Sequence, residues 1–200
     1  MTVATTPVDT SPIVLRMPPA LAMDDDQFLE FCQINRELRI ERTSAGEIII
    51  MSPTGGVTGN RNFKLIQQLA NWTDEDGTGI GFDSSTGFKL PNGAERSPDA
   101  AWIKLEHWDT IPTEKQERFA PICPDFVVEL RSPSDKLQTL QNKMTEYIDN
   151  GAKLGWLIDR KHRGVYVYRP GVEIEQLDNP ATVSGEAVLP GFVLKLSKIW

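Results

Sequence analysis

The chain has 200 residues, 40% hydrophobic and 24% charged, enough apolar material for one domain with its own core and too ordinary a mix for wholesale disorder. No apolar run approaches the roughly 20 residues of a spanning helix and no secretory leader pattern opens the chain, so a cytoplasmic protein without a membrane partner is expected. The formal charge of −7 argues against sequence-independent nucleic-acid binding through bulk positive charge.

Along the chain, residues 1–22 carry Pro7, Pro12, Pro18 and Pro19 among small polar residues and read as a flexible arm, leaving 23–200 as a single domain. Asp24-Asp25-Asp26 ahead of Phe28, Leu29, Phe31 and Cys32 predicts a short helix with acids in its first turn. Leu38 to Glu41, Ser44-Ala45-Gly46 and Glu47 to Met51 predict a hairpin. Phe63, Ile66, Leu69, Ala70 and Trp72 recur with helical spacing within Thr58 to Trp72. Strand-like segments follow at Ile80–Ser84, Gly87–Leu90 and Ser97–Ile103, with Pro91-Asn92-Gly93 as the turn between the last two.

After a polar connection over Glu106 to Arg118, Phe126–Leu130 reads as a buried central strand. Ser132 can cap a helix with Pro133 in its first position and Asp135 completing a near capping box. Leu137, Leu140, Met144, Tyr147 and Ile148 then mark an apolar helix face that ends at Asn150-Gly151. Strands at Leu154–Ile158 and Val165–Tyr168 follow, with a short final one at Phe192–Leu194. This order is α/β with a mixed sheet, and Phe126–Leu130, its helix and Leu154–Ile158 form a right-handed crossover unit.

Several chemistries are unsupported. No phosphate-binding glycine loop or GxSxG elbow is present. Cys32 and Cys123 belong to no CxxC pair, and His107 and His162 sit in polar surroundings that read as surface. What remains is carboxylate chemistry. Asp99 opens an apolar strand and Glu129 lies inside another. A glutamate in a buried strand costs several kcal/mol unless paired, protonated or bound to a cation. Two strand acids sharing Mg²⁺, with waters and phosphate oxygens filling its shell, would resolve that cost. The bland alternative is an ion pair of Glu129 with Arg131, two places along the strand, or with Lys143 at the margin of its helix's apolar face. Arg131 to Arg163 hold seven basic and four acidic residues, a local +3 that leaves −10 on the remainder, which suits a nucleic-acid substrate and ordinary solvated faces equally. Arg61 and Lys64 could also reach phosphate, but a solvated outer helix face is the better explanation of them. Tyr147 and Trp156 read as core.

The motifs Ser97-Pro98-Asp99-Ala100, Cys123 to Asp135 (CPDFVVELRSPSD), Lys143-x-x-x-Tyr147, Asn150-Gly151-Ala152, Gly155 to Asp159 and Val167 to Gly171 occur in an order and spacing that resembles the Uma2 family. The likeness runs from about residue 25 to 200 and includes Gly46-Glu47 to Pro53 upstream. It implies a restriction-endonuclease-like, PD-(D/E)XK core: a central mixed sheet flanked by helices, with an N-terminal hairpin. The implied activity is Mg²⁺-dependent (or Mn²⁺-dependent) endonuclease cleavage of DNA, less readily RNA, by a metal-activated water, with a homodimer expected by analogy. Asp99 and Glu129 would be the metal acids. The usual lysine two places beyond Glu129 is Arg131 here, which cannot act as a base, so Lys143 becomes the candidate migrated lysine. Glu47 or Glu41 would supply a further acid. Asp125, about 13 Å along the strand from Glu129, ranks below Asp99. The rival reading is an inactive nuclease-fold binding module in which Arg131 or Lys143 satisfies Glu129.

Overall fold

Phe126–Leu130 and Leu154–Asp159 are buried along their whole length, and strands apolar on both faces pair in parallel when a helix connects them. They do so here, with Phe126 opposite Leu154 and Leu130 opposite Ile158. The computed structural model describes residues 12–200. The elements are β1 (Ile13–Leu15), α1 (Asp25–Ile34), β2 (Arg39–Arg42), β3 (Ile48–Met51), α2 (Gly56–Asp76), β4 (Gly79–Asp83), β5 (Phe88–Lys89), β6 (Glu95–Arg96) and β7 (Ala100–Lys104). After the short α3 (Leu105–Trp108) and α4 (Thr113–Gln116) come β8 (Phe126–Leu130), α5 (Leu137–Asp149), β9 (Leu154–Asp159) and β10 (Gly164–Tyr168). β11 (Glu175–Asp178), β12 (Thr182–Ser184) and β13 (Val193–Lys195) complete the set.

The main sheet runs β11-β10-β9-β8-β7-β4, a second sheet runs β1-β3-β2-β6-β5, and β12 pairs with β13 alone. Only β8 and β9 are parallel within the main sheet, so the mixed α/β expectation holds. Its two faces carry separate cores. Leu65 and Leu69 of α2 pack with Trp102, Phe126, Val128, Trp156 and Ile158. Met144 and Tyr147 of α5 pack on the other face with Ala101, Ile103, Val127 and Leu157. Among the described residues no helix is long and apolar enough to cross a membrane.

The structure corrects the sequence reading in four places. The strand expected over 97–103 begins only at Ala100. Glu95–Arg96 pairs with Phe88–Lys89 in the second sheet, and the chain then steps across Ser97-Pro98 into β7. Pro98 has no N–H to give a ladder, which makes it a natural place to change sheets. The expected cap at Ser132 is a separate turn: the Ser132 N–H donates to Asp135 Oδ2 at 2.7 Å, and α5 starts at Leu137 without a side-chain cap. β11 (EQLD) was missed because it is polar and mostly exposed at the sheet edge. Of the arm expected over 1–22, the first eleven residues lie outside those described, whereas Ile13–Leu15 adds an exposed strand to β3.

Gly79 shows how closely α2 is followed by the sheet. A Cβ there would lie 2.1 Å from the Trp102 ring and 2.6 Å from the Ile103 carbonyl oxygen. Because backbone cannot give way as a flexible side chain does, Gly79→Ala should destabilise the fold by about 2–3 kcal/mol in urea unfolding.

Candidate active site

Alternation on β8 sets the site. Phe126, Val128 and Leu130 face α2, and Val127 faces α5, so Glu129 also faces α5. On α5, Lys143 and Tyr147 are one turn apart and therefore on the same side. They converge on one atom: Glu129 Oε1 lies 2.8 Å from Lys143 Nζ and accepts from the Tyr147 hydroxyl at 3.2 Å. Asp99 stands immediately before β7, in step with Ala101 and Ile103 of the α5 face. Its N–H donates to the Val128 carbonyl at 2.9 Å, and its Oδ2 accepts the Leu130 N–H at 2.8 Å. Both candidate acids thus belong to one side of the sheet, and Asp99 is anchored to the strand that carries Glu129.

The second sheet closes the site. On β2, Ile40 packs into a small core with Phe28 and Ile48, which turns Arg39 and Glu41 the other way. Arg39 reaches Asp99 Oδ1 at 3.4 Å and donates to the Ser97 carbonyl at 2.8 Å. Glu41 is only 3% exposed. Its Oε1 accepts from the Ser97 N–H at 3.0 Å and from Lys143 at 2.8 Å, and its Oε2 accepts from Arg96 at 3.2 Å. Arg96 also donates to Glu146 of α5 at 2.6 Å. Lys143 is therefore a cation held between two buried carboxylates from different sheets.

Burial pushes the Glu129 carboxyl up to about 7, and the Asp99 and Glu41 charges add to that rise while Lys143 opposes it. Glu41 is as deeply buried, yet Lys143 and Arg96 outweigh the burial and hold it below the usual range. The Lys143 ammonium is held above its ordinary value, since Glu129 and Glu41 outweigh its desolvation. Burial, Glu129 and Glu41 push the Tyr147 hydroxyl well above its ordinary value, so it stays a donor. Two like-charged acids titrating in different ranges at one site is the electrostatic pattern of acid–base centres.

Not every candidate residue joins this cluster. Arg131 lies beyond the end of β8 and donates to Asp159 Oδ2 at 2.8 Å and to the Asp135 carbonyl at 3.2 Å. Of the two partners considered for Glu129, Lys143 takes it and Arg131 does not. Glu47, at the hairpin turn, pairs with exposed Arg16 at 2.8 Å, whereas Glu41 is inside. Asp125 accepts the Lys104 N–H and bonds His107 Nδ1, both at 2.9 Å, so His107 is not merely solvated. His162 bonds Asp159 at 2.7 Å. Tyr147 and Trp156 are core residues as expected. Arg39, Arg96 and Glu146 were missed. The Arg39-x-Glu41 alternation opposite Ile40 was the available signal for the first.

Arg131→Ala should leave any chemistry at Glu129 intact and cost about 2 kcal/mol of stability. Asp159 is fully buried and would lose its one guanidinium partner, keeping His162 and the Lys161 N–H. An unchanged urea midpoint would show that the pair carries no such weight.

A mixed sheet between two helices, with an aspartate before one strand, a glutamate inside the next and a lysine on the crossover helix, is a restriction-endonuclease-like architecture. The chain belongs to the Uma2 family, described as "Putative restriction endonuclease", whose model matches residues 25–197. It is similar in fold to a crystal structure of "a putative nuclease belonging to DUF820" from Anabaena variabilis ATCC 29413. The TM-score is 0.68 at 22% identity, over 82% of this chain and 90% of that one. No curated protein matches the chain.

Proposed function

We propose that the protein is a Mg²⁺- or Mn²⁺-dependent endonuclease that hydrolyses phosphodiester bonds of DNA, acting as a homodimer with one copy per strand. The observation that carries this reading is the convergence of Asp99, Glu129 and Lys143 on one side of the sheet, in a chain whose family is described as "Putative restriction endonuclease".

The residues fit a divalent cation held by few protein ligands. Asp99 Oδ1 has only the long Arg39 contact, and Glu129 Oε2 has no partner among the described residues. No group of three or more His, Cys, Asp or Glu among the described residues is arranged to enclose a metal alone, and Glu41 is committed to Lys143, Arg96 and Ser97. Two carboxylates with the rest of the shell left to water and phosphate oxygens is the habit of Mg²⁺. When bound, such an ion supplies a polarised phosphodiester and a water of lowered pKa.

The chain's own groups do the rest. Leu130 N–H and Arg39 fix the Asp99 carboxylate, and Tyr147 and Lys143 fix Glu129 by its Oε1, which leaves Oε2 to face the reaction. Lys143 sets a positive charge beside the position where phosphate charge accumulates. Supercoiled plasmid incubated with the protein and Mg²⁺ or Mn²⁺ should be nicked, and chelation should stop it. Plasmid left intact with both metals overturns the reading.

One observation favours the rival, a non-cutting binding module: Lys143 pairs with both Glu41 and Glu129. Titration calorimetry with Mn²⁺ separates the two, because a purely structural triad takes up no metal.

A further inference from the structure

Three cations line the acid cluster, and they are held unequally. Lys143 Nζ lies 2.8 Å from both Glu41 and Glu129. Arg96 spans Glu41 at 3.2 Å and Glu146 at 2.6 Å. Both side chains are buried, 12% and 9% exposed. Arg39 is the exception. Its side chain is 36% exposed, and its one acidic partner among the described residues is Asp99, at 3.4 Å. A guanidinium has five donors, yet Arg39 makes one short bond, from Nη2 to the Ser97 carbonyl at 2.8 Å. Its Nε is sealed from solvent with no partner among the described residues. Moving Lys143 or Arg96 would strand buried carboxylates, whereas Asp99 keeps the Leu130 N–H when Arg39 leaves. Arg39 is the cation of the three that is free to move.

The place of that loose contact gives it a role. Asp99 Oδ2 is taken by the Leu130 N–H at 2.8 Å, so a divalent cation reaches Asp99 through Oδ1, the oxygen that Arg39 faces. Arginine stays protonated in proteins, so it cannot yield by losing its charge. At that range it and a divalent cation repel each other. Displacement of the side chain relieves the conflict, and its partial exposure leaves it a path. The displaced fork needs a new acceptor, and a pair of phosphate oxygens matches it bidentately. Resting on the nuclease reading for its ligands, we propose that Arg39 is a displaceable counterion of Asp99. It gives up Oδ1 to the divalent cation and passes its guanidinium to a backbone phosphate of the DNA. The cation alone is then held weakly, since it must first push Arg39 aside.

Titration calorimetry of the full chain with Mn²⁺ in the absence of DNA, and single-turnover nicking of supercoiled plasmid, test the two halves. Arg39→Gln should bind Mn²⁺ about tenfold more tightly than wild type, because a like charge leaves the oxygen that the metal takes. It should nonetheless nick about a hundredfold more slowly, because the phosphate loses its guanidinium. Arg39→Met, which keeps the aliphatic stem, carries the same two expectations. Arg39→Lys keeps the charge and should hold Mn²⁺ no more tightly than wild type. Opposite signs are the signature, since a residue that merely supports Asp99 would weaken metal uptake and cutting together. Mn²⁺ bound by Arg39→Gln and Arg39→Met no more tightly than by wild type overturns the counterion, as does equal tightening in Arg39→Lys. Tighter metal with undiminished nicking overturns the transfer to phosphate. If both neutral variants tighten Mn²⁺ and no protein nicks, the counterion at Asp99 stands and the nuclease reading fails, together with the transfer. If wild type nicks and the Mn²⁺ affinities are equal, the nuclease reading stands and the counterion fails.

Discussion

Asp99→Ala and Glu129→Ala should each lower metal-dependent plasmid nicking by at least about a hundredfold, the scale on which a preorganised electrostatic group counts in a desolvated site. The two losses differ in mechanism. Without Asp99, Arg39 and the Leu130 N–H lose their shared acceptor. Without Glu129, Lys143 and Tyr147 keep their places on α5 but point at a void. Glu129→Gln preserves shape and removes charge, so it should fail nearly as badly as alanine. The wild-type rate should rise with pH through about 7, because burial holds Glu129 protonated below that value. Variants that cut as fast as wild type, in single-turnover assays with Mg²⁺ and Mn²⁺, would remove both acids from the chemistry.

The largest stability effect is expected from Lys143→Met, about 3–5 kcal/mol above neutral pH, since it strands two buried carboxylates. Its pH dependence follows from the direction of each shift. The folded-state pKa of Glu129, about 7, lies above the ordinary 4.5, so the native state holds a proton that the unfolded chain has released. Stability from this group is full below the ordinary value and falls as pH rises towards 7, by about 3 kcal/mol. Glu41 is shifted downward, so its contribution is present above the ordinary carboxylate pKa and is lost on acidification. Removing Lys143 hurts most where both acids are charged and less once Glu129 takes its proton. Urea unfolding at about pH 5.5 and about pH 8 should show the penalty shrinking at the lower pH. An equal penalty at both would mean that Glu129 is not the group responding.

The main sheet was legible because its segments obey simple periodicities. β8, α5 and β9 lie where the β-branched run, the helical spacing and Asn150-Gly151 put them. α2 was found but trimmed, since its first and last turns carry no apolar repeat and it ends only where Gly77 takes a left-handed φ of 67°. The second sheet was half legible. The β2–β3 hairpin follows from Ser44-Ala45-Gly46, but β5 and β6 are two residues each, too short for any alternation to register. At the site, Asp99 and Glu129 were visible as anomalies in apolar strands, and Lys143 as a cation bordering an apolar helix face. Arg39, Arg96 and Glu146 were not, because a charged residue in a short polar segment looks the same whether it faces solvent or another sheet. Choosing between Glu41 and Glu47 likewise needed the fold, since the hairpin sends one inward and the other to Arg16.

The Glu41–Lys143 contact joins residues 102 positions apart, and the Asp99 carboxylate reaches Leu130 across 31. Such distant closures form late, after the entropy of the intervening loops has been spent. A nascent chain still lacking α5 has no Lys143 to set between its acids, so no fragment that ends before α5 can carry this centre. Whatever reactivity the site possesses switches on only when α5 has been made and the two sheets have met.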